Sequence, residues 1–150
     1  MDMYRICSEE YAKGLTASGC ENRWNLRNQW VIYASGSRSL ATLEMLVRRS
    51  NILPTWNYRM MALSFLEEAS SISQIQLEEL PANWRSMAGR SALQSIGASW
   101  YVSMESLVLK VPSVVIPQEF NYIINTVHPL FKENVKLEGS EPYFWDRRLL

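Results

Sequence analysis

The sequence predicts one domain of the α+β class, covering residues 1–150. With 150 residues, of which 47% are hydrophobic and 20% charged, the chain has the size and composition of a globular domain with a sizeable core. Segments rich in β-branched and aromatic residues outnumber segments with helical periodicity. Because the two kinds do not alternate regularly, a mixed sheet with flanking helices is favoured over a doubly wound parallel sheet.

In the first half of the chain, runs of β-branched and aromatic residues predict strands at residues 3–7, 30–34, 58–65 and 72–77. The intervening residues 14–27 are small and polar, which indicates an irregular loop. A helix is predicted over residues 40–49, where apolar side chains recur on one face. Ser37 or Ser39 can cap its N-terminus, because both precede the first apolar residue of that face.

The second half of the chain predicts one helix and further short strands. Residues 81–90 are rich in turn formers, and residues 91–100 are expected to be helical. Strands are expected at residues 107–111 and 114–116, with Pro112 and Pro117 marking a break or a sheet edge. After them, short apolar runs at residues 122–125 and 135–137 alternate with turns.

Charge and composition exclude several classes of function. Lysine plus arginine equal aspartate plus glutamate at 15 each, so no basic field favours direct binding of nucleic acid or an anionic membrane. No apolar run approaches the length of a membrane span, and residues 1–10 lack a signal-peptide core. Two cysteines and one histidine give neither a disulfide framework nor a zinc site. The sequence therefore predicts a cytoplasmic domain without a metal.

Three polar residues stand out, and the pattern alone leaves two interpretations of each. Glu44 borders the apolar face of the predicted helix, so it is either a paired rim carboxylate or part of a cleft. Arg23 is either stacked on Trp24 or available to bind a phosphate. Ser113 is either a strand-end serine or a hydroxyl aimed at a ligand.

The usual nucleotide-binding and hydrolase motifs are missing from the sequence. It contains no GxGxxG, no GxxxxGK[ST] and no GxSxG. His128 precedes Pro129, where a role in a turn or cap is favoured over catalysis. Neither a classical dinucleotide fold nor a serine nucleophile is therefore indicated.

Taken in order, a series of motifs resembles the RES domain, the toxin half of a bacterial toxin–antitoxin pair. The matching segments run through almost the whole chain: Tyr4-Arg5-Ile6, Gly19 to Asn25 ending in Arg-Trp-Asn, Val31 to Ser35, Leu40-Ala41, Leu43-Glu44, Gly97, Trp100, Val111-Pro112-Ser113, Ile116-Pro117, Glu119, Asn121-Tyr122, Asn125, His128-Pro129, Phe131 and Asp146 to Leu149. The chain departs from the family at Glu21-Asn22, where a glycine pair is usual, and at Thr126, where proline is usual. Asn22 can replace a glycine because asparagine tolerates left-handed backbone, whereas Glu21 would weaken binding of a pyrophosphate.

The resemblance implies an ADP-ribosyltransferase-like fold, with a split, twisted β core that holds NAD in a cleft. Proteins of this family degrade NAD at the nicotinamide–ribose bond by phosphorolysis or hydrolysis, so inorganic phosphate is a possible co-substrate. The resemblance implies Glu44, Arg23 and Tyr33 as the catalytic set, with Glu44 stabilising the oxocarbenium character of the ribose. It assigns NAD binding to Arg5, Arg23, Trp24, Asn25, Tyr33 and Ser113.

In this assignment Arg5 and Arg23 hold the pyrophosphate or orient inorganic phosphate. Tyr33 stacks on the nicotinamide or lines its pocket, and Ser113 hydrogen-bonds the nicotinamide ribose. No cofactor is expected besides NAD as the substrate.

The resemblance also implies a partner, a cognate antitoxin with an Xre-like DNA-binding domain, and DNA contact would then belong to the antitoxin. Two alternatives stay open at this point. The same cleft could transfer ADP-ribose to a cellular protein, or the chain could be a catalytically silent antitoxin-binding protein.

Overall fold

The computed structural model describes residues 1–48, 57–66 and 71–150. Within these residues seven strands and three α-helices follow one another along the chain. In order they are β1 (Asp2–Ser8), β2 (Val31–Ser35), α1 (Arg38–Leu46), β3 (Tyr58–Phe65), β4 (Ile72–Gln74), α2 (Arg90–Ser103), β5 (Val108–Pro112), β6 (Phe120–Asn125), α3 (Phe131–Asn134) and β7 (Val135–Tyr143). The expected α+β class is confirmed.

The strands form one sheet in the order β4-β5-β6-β2-β1-β3-β7. All neighbours are antiparallel except β4 and β5, which are parallel. β1 pairs with β3 along its whole length, but it pairs with β2 only where Tyr4 lies opposite Ser35. The sheet therefore consists of two groups of strands joined at a single register pair in the middle.

Both faces of the sheet are covered by apolar side chains. In β6, Ile123 and Ile124 are each fully buried yet belong to different core clusters, as expected for neighbours that point to opposite faces of a strand. Leu93 and Trp100 of α2 pack in the cluster that contains Ile123, so α2 covers that face. Phe65 belongs to the cluster on the opposite face.

Most of the predicted elements are confirmed, with shifted ends. β1, β2, β3 and β5 occupy the strands expected around residues 3–7, 30–34, 58–65 and 107–111, and α2 extends the helix expected at 91–100. α1 begins at Arg38, and Ser37 is its N-cap, because the Leu40 amide donates to the Ser37 hydroxyl at 3.1 Å. The predicted helix end at position 49 and the connection through positions 67–70 lie outside the described residues.

One predicted strand is too long, and another is wrong. The strand expected at residues 72–77 ends at Gln74, and the chain turns into a 3-10 helix, Leu77–Glu79, where the Gln76 amide donates to the Glu79 carboxylate. Residues 114–116 are not a strand, because the amides of Val115 and Ile116 donate to the Ser113 hydroxyl and bend the chain.

The short apolar runs that we expected near the end of the chain are parts of longer strands. Residues 122–125 lie in β6, a central strand, and residues 135–137 begin the edge strand β7. His128 serves a turn, as expected, because its Nδ1 accepts from the Leu130 amide.

The described residues contain no helix long and apolar enough to cross a membrane. In the same part of the chain, no group of three or more histidine, cysteine, aspartate or glutamate side chains could hold a metal ion. The two thiols are free, with Cys7 buried and Cys20 exposed.

Candidate active site

A cleft of about 190 Å³ lies at the junction of β1 and β2, where the two groups of strands are joined. Five parts of the chain supply its walls: β1, the loop between β1 and β2, β2, α1 with the turn that follows it, and β6. Its lining comprises Tyr4, Arg5, Ile6, Ser18, Cys20, Asn22, Val31, Tyr33, Ala34, Ser35, Ala41, Glu44, Met45, Arg48 and Asn121. Three of the side chains predicted from the sequence, Arg5, Tyr33 and Glu44, therefore meet at one place.

Glu44 is held in the cleft by two hydrogen bonds to the same carboxylate oxygen. Its Oε1 accepts from Ser113 Oγ at 2.6 Å and from Asn121 Nδ2 at 2.7 Å. Its Oε2 accepts no hydrogen bond from any residue that the structure describes. Both interpretations of Glu44 are thus partly right: it is bonded to neighbours, and it lines the cleft.

The Ser113 hydroxyl acts on Glu44, which changes the role expected for it. Its single hydrogen is donated to Glu44, and its oxygen accepts from the amides of Val115 and Ile116, each at 3.1 Å. A hydroxyl offers one donor and two acceptor sites, so all of its capacity is used. Since Ser113 is also fully buried, a direct hydrogen bond to a ribose is disfavoured, and the residue instead orients Glu44.

Arg5 lines the same cleft from β1 and has no ionic partner. Burial lowers the pKa of its guanidinium from the usual value, and the nearby Cys7 opposes that shift. Among the described residues nothing forms an ion pair or hydrogen bond with it. A half-buried cation that no described residue pairs is costly for the folded state, which is typical of a group that binds an anionic ligand.

Arg23 lies beside the cleft, close enough to Glu44 for the two charges to interact. Burial and the nearby Arg90 lower the pKa of Arg23, Glu44 raises it, and Arg48 lowers it further. Its Nη1 is buried and has no hydrogen-bond partner within the described part of the chain. The alternative of a stack on Trp24 is not supported, because the Trp24 ring lies in the core.

Arg48 and Arg90 belong to this cationic group, and our prediction from the sequence missed them as site residues. Arg48 lines the cleft just after the end of α1, and Arg90 begins α2. The spacing could have identified Arg48, which is four residues beyond Glu44 and so on the same side of a helix. The position of Arg90 depends on how α2 packs against the loop, which no local pattern reveals.

Tyr33 lines the cleft and also ties down the loop between β1 and β2. Its hydroxyl donates to Asn25 Oδ1 at 2.6 Å and accepts from the Trp24 amide at 3.1 Å. Burial raises the pKa of Tyr33 above its usual value, while the bond from the Trp24 amide and the nearby arginines oppose the shift. The neutral phenol is therefore the stable form in the folded protein.

Trp24 and Asn25 are buried and do not line the cleft, so the direct NAD contacts expected for their side chains are disfavoured. Trp24 is 3% exposed and packs in the core with α2, while Asn25 is 1% exposed and donates to the carbonyls of Cys20 and Leu26. A Cβ at Gly97 would lie 1.7 Å from the Trp24 carbonyl oxygen, so this contact requires glycine. In the Arg-Trp-Asn motif, the two residues after the arginine hold the loop in place.

The two residues that replace the family's glycine pair fit the loop without strain. Asn22 forms a bridge with Asn25 and accepts from Gln94 Nε2 at 2.9 Å. It does not use the left-handed backbone that we expected, which in this loop occurs at Gly19 and Asn28. Glu21 is exposed.

The arrangement combines one fixed carboxylate with the guanidinium groups of Arg5 and Arg23, which have no ionic partner among the described residues, at a small cleft. The guanidinium groups can bind phosphate oxygens with paired N–H donors. The free Oε2 of Glu44 can accept from a hydroxyl or stabilise positive charge that develops on a substrate. Such a site suits a substrate that carries phosphates and becomes cationic as it reacts.

Comparison with known proteins identifies the family of the chain. The family model described as RES domain matches residues 2–146. A protein named Toxin Res from Yersinia enterocolitica is 33% identical over 153 residues, covering 99% of each chain. A protein named Prs ADP-ribosylating toxin from a Sphingobium species is 32% identical over 145 residues, covering 93% of this chain and 88% of its own length. A second Toxin Res, from Photorhabdus laumondii, is 25% identical and covers all of this chain. The chain therefore belongs to the RES domain family.

Proposed function

We propose that this protein is a toxin that cleaves NAD at the nicotinamide–ribose bond. The observation that carries the proposal is the geometry of Glu44. Two hydrogen bonds fix one of its carboxylate oxygens, the other accepts none from the described residues, and the side chain lines a cleft together with Arg5 and Arg48. NAD matches this site because it has a pyrophosphate for the arginines and a ribose that gains positive charge as nicotinamide departs.

In the proposed reaction, nicotinamide departs as a neutral molecule, because its ring is already cationic in NAD. No strong general acid is therefore required, and the main task of the protein is to stabilise the ribosyl cation. Glu44 supplies a negative charge for that purpose, while Arg5 and Arg23 hold the pyrophosphate. Tyr33 offers an aromatic wall for the nicotinamide, since it lines the cleft and stays neutral.

The acceptor of the ADP-ribose is the finer part of the proposal. Inorganic phosphate would give phosphorolysis, and water would give hydrolysis. We propose phosphate or water as the acceptor, because the cleft is small and the arginines can hold a second anion. Transfer to a cellular protein is the second candidate, which the name of the Sphingobium relative favours.

We further propose that the protein acts in the cytoplasm together with an antitoxin, since its relatives are named toxins and NAD is a cytoplasmic metabolite. An Xre-like DNA-binding domain would belong to that partner, in keeping with the zero net charge of this chain. The β core joined at one register pair, with the cleft at the junction, supports an ADP-ribosyltransferase-like fold.

The test is product analysis after the purified protein is mixed with NAD, with and without inorganic phosphate. The variant is Glu44→Gln, whose amide oxygen can still accept from Ser113 and Asn121 while the negative charge is lost. Loss of a charge-stabilising group of this kind lowers turnover by about 100- to 1,000-fold. The matched control is Glu133→Gln on α3, an exposed glutamate outside the cleft, which should leave turnover unchanged.

Each outcome decides between the candidates. Nicotinamide release that requires phosphate and Glu44 identifies phosphorolysis, and release without phosphate identifies hydrolysis. ADP-ribose found on protein after incubation with a cell extract would favour the second candidate. If the wild-type protein consumes no NAD under any of these conditions, the enzymatic proposal is wrong, and a silent antitoxin-binding role remains.

A further inference from the structure

We propose that Asn121 and Ser35 are positioning residues that hold Glu44 in its reactive orientation. The inference rests on the proposed function, because it concerns the carboxylate that we assign to catalysis. Neither residue is expected to contact the reacting bond through this network. They act through a chain of hydrogen bonds that runs from Ser35 to Asn121 and from Asn121 to Glu44.

The chain of hydrogen bonds is short and lies at the cleft. Ser35 Oγ donates to Asn121 Oδ1 at 2.7 Å, and Asn121 Nδ2 donates to Glu44 Oε1 at 2.7 Å. Ser35 and Asn121 are directly opposite one another on the paired strands β2 and β6, so the sheet itself fixes their separation. Glu44 comes from α1, and the network thus ties the helix to two strands.

The chemistry of the three groups fixes the orientation of the amide. A carboxylate can only accept hydrogen bonds, so the amide must turn its Nδ2 toward Glu44. Its Oδ1 then points to Ser35, whose hydroxyl supplies a donor. Without that donor Oδ1 loses its partner, and one hydrogen bond, that to Glu44, holds the amide in place of two. Ser35 therefore strengthens the productive orientation of Asn121.

The position of Ser35 in the sheet explains why this network can be stiff. Ser35 is 5% exposed and is also the residue of β2 that pairs with Tyr4 of β1. Its backbone is thus held on both sides, by β1 and by β6. Together with Ser113, which donates to the same Glu44 oxygen, the network leaves Oε2 as the oxygen for the substrate.

The test is a double-mutant cycle on NAD turnover with Ser35→Ala, Asn121→Ala and the double variant. We expect kcat to fall by about 10- to 100-fold in Asn121→Ala, the range typical of residues that orient a catalytic group. KM for NAD should change little, because the arginines that hold the substrate are intact. If Ser35 acts through Asn121, Ser35→Ala should lower kcat alone but add nothing to Asn121→Ala.

The control is Ser106→Ala, another buried serine with three hydrogen-bond partners, Trp100, Ser73 and Val108, none of which lines the cleft. It should lower stability in urea without changing kcat. Additive effects of Ser35→Ala and Asn121→Ala on kcat, or a loss expressed only in KM, would overturn the proposal.

A second cycle does not depend on activity and so separates this inference from the proposed function. Urea unfolding of Glu44→Ala, Asn121→Ala and the double variant measures the coupling between the two side chains, because each single substitution removes the hydrogen bond between them. If Glu44 and Asn121 are coupled in stability but the wild type does not turn over NAD, the proposed function is wrong and the contact still stands. If the wild type turns over NAD but neither cycle shows coupling, only the positioning role is wrong.

Discussion

Replacing Arg5 by methionine should stabilise the fold while it destroys the proposed activity. Arg5 is half-buried, and burial lowers the pKa of its guanidinium, yet no described residue pairs with it. Methionine has a similar length and no charge, so Arg5→Met removes the desolvation cost and keeps much of the packing.

The size of the effect follows from comparison with Arg59, a matched arginine on the neighbouring strand β3. Arg59 donates to Ser140 Oγ at 2.8 Å and to the Ser140 carbonyl at 2.7 Å, and it lies 3.8 Å from Glu9. Arg59→Met loses these bonds and should cost about 1 kcal/mol of unfolding free energy. Arg5→Met loses none and should gain stability, by about 1–4 kcal/mol if it behaves like a buried ion pair that is replaced by apolar residues of similar volume.

The assay is urea unfolding followed by tryptophan fluorescence, with NAD turnover measured on the same samples. The two variants should move the urea midpoint in opposite directions, with Arg5→Met above the wild type and Arg59→Met below it. Turnover should be lost in Arg5→Met and kept in Arg59→Met. A lower midpoint for Arg5→Met would refute the reasoning, because it would mean that the free protein already compensates this charge.

Three further experiments test the scaffold of the cleft. Tyr33→Phe should lower the unfolding free energy by about 1–3 kcal/mol at neutral pH. Because burial raises the pKa of Tyr33, the wild type should also lose stability above pH about 10. When the urea midpoint is followed to alkaline pH, the variant should lose less stability than the wild type. Ellman's reagent should titrate one thiol per folded chain, that of Cys20, and none in Cys20→Ser. Cys7 should not react, because it is 8% exposed and burial raises the pKa of its thiol. Rapid reaction of two thiols would contradict the burial of Cys7. Gly97→Ala places a Cβ 1.7 Å from a backbone oxygen and should cost about 1–3 kcal/mol. Gly14→Ala has open space and should cost less, so equal urea midpoints would refute the clash.

The local parts of the fold were predictable from the sequence, and the long-range parts were not. Ser37 as a helix cap follows from residue type and the apolar pattern after it. The missed strand β6 had the same apolar character as its neighbours, but its central place depends on pairing with β2, about 90 residues earlier in the chain. The end of β4 was missed because Glu79 closes a turn back onto Gln76, a contact that competes with strand pairing.

In the candidate site, residue type predicted which side chains carry chemistry but not what each one contacts. Glu44 was identified from its place on the edge of an apolar face. Ser113 was identified by resemblance, but its hydroxyl bonds Glu44 across 69 residues of sequence, and no spacing rule anticipates such a contact. Asn121 was part of the matching motif without an assigned role, because an asparagine in a strand has no distinctive pattern.

The Arg-Trp-Asn segment explains how the loop between β1 and β2 can hold Arg23 in a fixed position. Trp24 is anchored in the core, and Asn25 is bonded on both of its amide ends, so the backbone on the C-terminal side of Arg23 cannot move freely. Tyr33 bonds both of these residues and also lines the cleft, so it joins the loop to the substrate site. A loop fixed in this way can hold an unpaired guanidinium before the substrate arrives, at a cost in stability that the buried tryptophan and asparagine offset. We therefore expect loss of the Tyr33 hydroxyl to raise KM for NAD, through Arg23, even though the ring remains in place.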